Sequence, residues 1–225
     1  MNIALIMAGG KGSRMLSSEK KQFIELEGRY VIAHTISKFW RHSDIDQIIV
    51  VSPQEDIEKM KNICQQEFDN YKITIVSGGK KRQNSVINGL RSCPPETEYV
   101  LIHDGVRPFV TDNMISELIK LVKLHDAVIP CSPVRYTLKQ IKSNQIIKTV
   151  DRKHLYNAQT PQVFDFKLIY KFHKKALKTS IDFTDDSSIL EYYGIPVYSL
   201  VCDDKNIKIT DPYDLELARL LIRND

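Results

Sequence analysis

No run of apolar residues in this 225-residue chain approaches the ~18 needed to cross a bilayer, so no transmembrane helix is expected. The opening segment Met1–Met7 is apolar but lacks a basic start, and Gly9-Gly10-Lys11-Gly12 follows almost at once. It reads as a buried strand rather than a secretory signal, and the expected location is the cytoplasm. There are only four cysteines, Cys64, Cys93, Cys131 and Cys202, and no two form a CxxC pair. That spacing excludes a zinc ribbon or a small disulfide framework and leaves four reduced thiols. No internal repeat, low-complexity tract or Gly/Ser linker is present. The HExxH pattern and an evident nucleophile triad are missing too. Net charge is only +4, from 32 Lys and Arg against 28 Asp and Glu. A dedicated nucleic-acid binder would carry more, so neither nucleic acid nor membrane is expected as a partner. A +4 excess suits an anionic small molecule if the charge is gathered in one place.

What is present is an ordinary globular composition, 42% hydrophobic and 27% charged, in a length suited to one large domain. Short apolar runs alternate with helical patterns. Asn2–Ala8, Asp46–Ser52, Lys72–Ser77, Tyr99–His103 and Ala127–Pro130 read as buried strands. Helices are expected over Val31–His42, from Pro53 to about Phe68, over Arg82–Ser92 and over Asp112–Leu124. Further on, Phe166–Leu177 and Asp185–Tyr193 read as helices, Val197–Val201 as a strand, and Tyr213–Ile222 as a last helix with Asp211 as N-cap. Continuous apolar strands between helices predict an α/β fold, a mostly parallel twisted sheet flanked by helices on both faces. Ligands of such sheets bind at the carboxyl ends of the strands, which points to three loops: 8–15, 77–85 and 103–109.

Residues 133–153 break the pattern. Val134–Lys139 and Gln145–Val150 predict a hairpin around Lys142-Ser143-Asn144, leaving the main sheet. This segment holds six cations (Arg135, Lys139, Lys142, Lys148, Arg152 and Lys153) and one acid, Asp151, a local excess larger than that of the whole chain. A lone hairpin is marginally stable, so a second copy of the chain is expected to cover it. Near this basic arm only Tyr136 and Tyr156 offer aromatic rings, too few for a base-stacking platform.

Three loops carry candidate chemistry. Ala8-Gly9-Gly10-Lys11-Gly12-Ser13-Arg14-Met15 is glycine-rich, yet neither a dinucleotide fingerprint nor a Walker loop. Its backbone N–H groups could cradle a phosphate, with Arg14 and Lys21 supplying charge to a phosphoryl transition state. Taken alone, it also suits a tight turn with solvated cations. Gly78-Gly79-Lys80-Lys81-Arg82-Gln83-Asn84-Ser85 opens a helix at the ligand edge, where Ser85 or the backbone could meet a base edge. Composition there fits a plain loop equally well. In His103-Asp104-Gly105-Val106-Arg107-Pro108, Asp104 is placed to hold Mg²⁺ and Arg107 to bind a phosphate. His103 reads as a structural histidine at a strand end. The missing nucleophile is itself informative. A phosphate monoester brings its own, being largely dianionic at neutral pH with a second pKa of ~6.

Further along lie Thr149-Val150-Asp151-Arg152, Gln159-Thr160-Pro161-Gln162, Thr184-Asp185-Asp186 and Asn206-Ile207-Lys208-Ile209-Thr210. Singly, each reads as a cap, a turn or a surface ion pair. Together with Gly-Gly-Lys-Gly-Ser-Arg-Met, Lys21-Gln22, the Gly-Gly-x-x-Arg-x-x-Ser-Val loop and His-Asp-Gly-Val-Arg-Pro, they span nearly the whole chain. In this order the set resembles the 2-C-methyl-D-erythritol 4-phosphate cytidylyltransferase family and its relatives, the ribitol-5-phosphate cytidylyltransferases.

That resemblance implies a Rossmann-like sheet, CMP transfer from CTP to a polyol phosphate with Mg²⁺, and a homodimer joined through the hairpin arm. It implies that Arg14 and Lys21 stabilise the transition state. Arg152, from the partner subunit, and Lys208 would position the acceptor phosphate. Ala8, Gly9, Gly10, Lys11, Gly12, Gly79, Lys80 and Ser85 would line the nucleotide site. Asp104, Arg107, Thr137, Thr160 and Thr184 would border the metal, the ribose and the polyol.

Four positions depart from the family pattern. Lys20 stands where the family has proline, which predicts a less rigid Lys21 turn. Gly9 and Gly105-Val106 replace alanines and lean towards a ribitol-phosphate acceptor. Thr137 with Lys139, Val150-Asp151-Arg152 and Thr184-Asp185-Asp186 lean towards methylerythritol phosphate. Several of these flank the acceptor, so methylerythritol phosphate is the expected acceptor and ribitol 5-phosphate the alternative.

Overall fold

Residues 1–10, 19–68 and 72–223 are described by a computed structural model of the chain. Strand β1 (Asn2–Met7) forms the centre because its run Ile3–Ile6 is wholly buried, which only a strand covered on both faces permits. Two two-residue strands, β2 (Glu25–Leu26) and β3 (Arg29–Tyr30), pair around Glu27-Gly28 before helix α1 (Val31–Trp40). Then follow β4 (Gln47–Ser52), a 3-10 turn over Gln54–Asp56, α2 (Ile57–Glu67), β5 (Ile73–Ser77), α3 (Arg82–Arg91), β6 (Tyr99–Asp104), α4 (Asp112–His125) and β7 (Ala127–Pro133). The hairpin strands are β8 (Leu138–Lys142) and β9 (Gln145–Val150). The chain returns through β10 (Tyr156–Ala158), β11 (Gln162–Asp165), α5 (Phe166–Ala176), α6 (Ser187–Tyr192), β12 (Tyr198–Val201) and α7 (Pro212–Ile222).

The main sheet is mixed and mostly parallel. β6, β1, β4 and β5 run parallel in that spatial order. β11 lies antiparallel between β6 and the start of β7, β10 pairs with the end of β7, and β12 lies parallel on the other edge of β7. Alternate residues of the strands face opposite layers. Ala4, Ile6, Ile48, Val50 and Leu101 pack on one side with Ile36, Phe39, Met60 and Leu118. Ile3, Leu5, Ile49, Val51 and Ile102 pack on the other with Val86, Leu90, Ile169 and Phe172. Helix α3 comes unusually close. A Cβ on Gly89 would lie 2.3 Å from Leu5 Cδ1 and 2.9 Å from Val51 Cγ2, so any larger residue would have to displace these side chains. Helix α7 starts as expected: Asp211 accepts from the Asp214 N–H, and Pro212 occupies the first turn.

Several boundaries differ from expectation. The hairpin arm spans 138–150, shorter than 133–153. Val134 stays outside its ladder because its N–H bonds to Leu155 O, and Arg152 donates to Arg135 O, closing the base of the arm by single bonds. Ser143 and Asn144, both at positive φ (49° and 64°), form the two-residue turn that matches strand twist. Pro53 opens a 3-10 turn before α2 instead of the helix itself. Helix α6 starts at Ser187, because the Asp185 side chain is used to accept the Ser188 N–H. No described helix is long and apolar enough to cross a membrane.

Candidate active site

The carboxyl ends of β1, β4, β5 and β6 open onto one cleft, as the parallel arrangement requires. One lobe, the large lobe, is a cavity of about 440 Å³, and a second cavity of about 500 Å³ adjoins it along Gly9, Gly10, Gly79, Lys80 and Ser85. Lys21, Lys80, Lys81, Arg82 and Lys208 supply cations to the wall of the large lobe, and Asp104 is the one acid among the described residues lining it. A smaller lobe of about 300 Å³ is bordered by Arg107, Thr160, Thr184 and Gln162, and shares Arg82, Asp104 and Lys208 with the first.

The first wall is the exit of β1. Ala8 is buried, and its N–H donates to Val51 O at 2.8 Å. The buried Gln22 amide donates to Ala8 O at 2.9 Å, which ties this exit to the short turn bearing Lys21. Lys21 is only 8% exposed, so its stem is packed along the wall of the cleft. Gly9 and Gly10 are exposed, and among the described residues a Cβ on either would meet nothing within 4 Å. Packing against the described residues therefore does not require glycine there. Lys11, Gly12 and Arg14 lie outside the described residues.

The second wall is the turn from β5 into α3. The Gly79 N–H donates to Ser85 Oγ at 2.9 Å, and Asn84 Oδ1 accepts from the Lys81 N–H at 3.3 Å. A Cβ on Gly79 would lie 2.4 Å from Asn84 Cβ, so this glycine is required by close approach. The Ser85 hydroxyl closes the turn, and Lys80 and Ser85 both line the large lobe.

Arg82, to which the sequence reading gave no separate role, stands at the wall between the lobes. Its guanidinium grips Asp186 with two bonds, at 3.0 and 2.5 Å. Asp186 has no exposed surface and also meets His173 Nε2 at 3.1 Å, while its N–H donates to Gln162 Oε1. Burial alone would raise the Asp186 carboxyl, but Arg82 and His173 outweigh it and hold it well below the usual carboxylate range. The Arg in Gly-Gly-x-x-Arg was the available signal. Its partner 104 residues away was not.

The third wall ends β6. Lys208 Nζ lies 2.8 Å from Asp104 Oδ2, with Arg107 Nε at 3.5 Å from the same oxygen. Burial would raise this carboxyl, yet Lys208, Arg107 and Arg82 together pull it down to about 2. Arg107 Nη1 donates to Asn206 O at 2.7 Å, so part of its guanidinium is held inside the protein. His103 is fully buried. Burial pushes its imidazole down to about 4, against the bond to Arg107 O. Its Nδ1 meets Thr160 Oγ1 at 3.0 Å, and that oxygen accepts the Asp104 N–H at 3.1 Å. Both ring nitrogens are thus engaged, and His103 is the structural histidine expected.

The structure therefore brings Ala8, Gly9, Gly10, Lys21, Gly79, Lys80, Ser85, Asp104 and Lys208 to the large lobe, and Arg107, Thr160 and Thr184 to the small one. Thr137 and Arg152, both exposed at the base of the arm, line neither lobe of their own chain.

A family model described as IspD, 2-C-methyl-D-erythritol 4-phosphate cytidylyltransferase, matches residues 2–224. The chain belongs to this family. A 2-C-methyl-D-erythritol 4-phosphate cytidylyltransferase of Clostridium novyi (strain NT) is 41% identical over 225 residues, 99% of this chain and 97% of the relative. The relative of that name from Syntrophus aciditrophicus (strain SB) is 39% identical over 225 residues, 99% of this chain and 96% of its own. Among solved structures, the 4-diphosphocytidyl-2C-methyl-D-erythritol synthase of Anaerococcus prevotii DSM 20548 superposes with a TM-score of 0.87 at 34% identity. It covers 99% of this chain and 96% of that one. IspD membership thus agrees with the motif order and with the strand topology that forms the cleft.

Proposed function

We propose that the chain is a cytoplasmic enzyme that transfers CMP from CTP to 2-C-methyl-D-erythritol 4-phosphate and releases pyrophosphate. The observation that carries this reading is the Asp104–Lys208 pair, set in a wall common to a cation-lined lobe and a smaller polar lobe. The larger lobe fits a nucleoside triphosphate and the smaller one a polyol phosphate, so the reacting groups meet at that wall.

An oxygen of the acceptor phosphate attacks the α-phosphorus of CTP. The bond from that phosphorus to the oxygen bridging it to the β-phosphate breaks, and pyrophosphate departs with the electron pair. The attacking phosphate is already a dianion at neutral pH, so no side chain need remove a proton. This agrees with His103, whose nitrogens are both engaged. Lys21, with Arg14, supplies positive charge to the transition state, and Lys208 orients the acceptor phosphate. Lys80, Gly79, Ser85 and the β1 exit hold the nucleotide. A Mg²⁺ bound to nucleotide phosphates takes one or two protein carboxylates, and Asp104, ionised and in the large lobe, fits that role. Such an ion would neutralise charge building on the triphosphate oxygens.

We read the functional unit as a homodimer joined through the arm. β8 and β9 form a sheet of their own with Ile141, Ile146 and Ile147 more than half exposed, a surface that a second copy would cover. Arg152 and Thr137 would then border the partner's small lobe. The test is pyrophosphate release with CTP and Mg²⁺ and two acceptors in parallel, 2-C-methyl-D-erythritol 4-phosphate and D-ribitol 5-phosphate. The expected result is a clear preference for the first. An equal or higher kcat/KM with ribitol 5-phosphate would overturn the acceptor assignment and leave the cytidylyl transfer intact.

A further inference from the structure

Lys21 sits in the first position of a three-residue 3-10 turn, and the residue before it is the N-cap of that turn. That residue, Lys20, has φ −66° and ψ 136°, and its carbonyl accepts the Phe23 N–H at 2.8 Å. Its side chain crosses to the 3-10 turn Gln54–Asp56, which follows β4. There its ammonium lies 2.6 Å from Asp56 Oδ2 and 3.0 Å from Glu55 Oε1. Asp56 is largely buried while the Lys20 side chain stays about one-third exposed, so the shorter of these pairs is partly shielded from water and salt. A neighbouring ion pair, Lys59 to Glu19 at 2.8 Å, places Lys59 Nζ 4.4 Å from the Phe23 ring centre. The turn is thus fastened to the β4–α2 connection through Lys20 and to α2 through Glu19 and Phe23, which flank Lys20.

We propose that Lys20 is a positioning residue for Lys21. Its ion pair with Asp56 holds the backbone before Lys21 in the extended conformation that aims the Lys21 side chain along the wall of the cleft. The fixed φ of proline, about −65°, coincides with the angle seen at Lys20. The Lys20–Asp56 clamp therefore does by side-chain charge what a proline would do by ring closure, and the turn is not loosened by the absence of proline. The inference rests on the reading of Lys21 as a transition-state residue.

The test measures kcat, both KM values and Tm for Lys20→Ala, Asp56→Asn, Lys20→Pro and Lys21→Ala in the full chain, with CTP, Mg²⁺ and 2-C-methyl-D-erythritol 4-phosphate. A displaced charge loses catalysis with little loss of ground-state binding, so Lys20→Ala and Asp56→Asn should each lower kcat about 10-fold or more with both KM values nearly unchanged. Lys20→Pro should restore kcat, which a purely thermal loss of stability would not allow. The Lys20→Ala/Asp56→Asn double variant should be no slower than either single one. Full activity in Lys20→Ala, additive losses, or a Lys20→Pro variant as slow as Lys20→Ala would overturn the proposal. Lys21→Ala separates the two readings. If it keeps wild-type kcat, the transition-state role of Lys21 falls. If it is slow while Lys20→Ala is fast, only the clamp falls.

Discussion

Asp104 Oδ2 and Lys208 Nζ lie 2.8 Å apart across a sequence separation of more than one hundred residues, and both border each lobe of the cleft. A carboxylate held between Lys208, Arg107 and Arg82 stays ionised at any pH at which the enzyme would work. It also fixes where the Lys208 charge points. Asp104→Asn removes that charge and keeps the shape. Because the residue serves both lobes, the expected outcome is a fall of at least ~10-fold in kcat/KM for CTP and for the polyol phosphate alike. Steady-state kinetics with each substrate varied in turn checks this. A loss confined to one substrate would place Asp104 in that lobe alone.

Acid should weaken the fold in two stages. The His103 imidazole is lowered by burial to about 4 when folded, against ~6.5 when unfolded, so the unfolded chain binds the extra proton between those values. Stability is complete above ~6.5 and falls as pH drops through that window, by an amount on the order of 3 kcal/mol at most. His34, also lowered by burial, acts in the same direction. Below ~4 the depressed Asp104 and Asp186 carboxyls begin to contribute in their turn. Urea midpoints measured from pH 7.5 to 3.5 should therefore decline first from about 6.5 downward. A midpoint flat between 6.5 and 4 would contradict a neutral, buried His103.

Arg82 and Asp186 should be inseparable in stability measurements. Removing one partner leaves a buried, uncompensated charge, which typically costs about 3–5 kcal/mol. Arg82→Ala is therefore expected to destabilise by that order, since it strands Asp186 with His173 alone. Arg82→Lys keeps the charge but loses the two-pronged grip, and should recover only part of the loss. Denaturant unfolding of the two variants decides the matter. A loss below ~1 kcal/mol for Arg82→Ala would mean that Asp186 is satisfied without it.

The legibility of this chain follows the range of the interactions. Ile3–Ile6 and Ile48–Val51 were readable as buried strands because a continuous apolar run needs no partner to be recognised. The same holds for the Asp211-Pro212 helix start, a local device. β10 was not readable: its residues Tyr156, Asn157 and Ala158 are all exposed, and it is a strand only because Pro133 and Cys131 lie beside it. β2 and β3, two residues each, are likewise held by their pairing around Glu27-Gly28 and carry no periodic signal. In the cleft, loops that follow β1, β5 and β6 were found from strand context. The wall built by Arg82 and Asp186 was missed because it depends on one residue of α3 meeting the N-cap of α6.

Gly89, packed between α3 and the sheet, and Gly9, at the cleft, are under different constraints, and substitutions should tell them apart. Gly89→Ala forces a Cβ to within 2.3 Å of Leu5 Cδ1, and should destabilise by about 1–3 kcal/mol despite the helical preference for alanine. Gly9→Ala meets nothing within 4 Å among the described residues, so the unfolding midpoint should stay at wild type. Any change in the acceptor preference of Gly9→Ala then reports contact with a bound substrate instead of a disturbed fold. A Gly9→Ala variant with lowered stability would show that the β1 exit is packed more tightly than this geometry.

Arg152 tests the shared site. It projects from the base of the arm, donates to Arg135 O and lines no lobe of its own chain, whereas Lys21 is packed along its own chain's large lobe. If the arm reaches the partner's small lobe, Arg152→Ala should chiefly raise KM for the polyol phosphate and leave KM for CTP nearly unchanged. Each variant alone would have two defective sites. A mixed dimer of Arg152→Ala with Lys21→Ala would pair a chain lacking only Arg152 with one lacking only Lys21. One of its two clefts then has both residues intact. Refolding or co-expressing the two variants should restore up to half of the wild-type activity per dimer. Mixed dimers as inactive as their parents would mean that each cleft is completed within one chain, and that the charge excess of the arm serves some other contact.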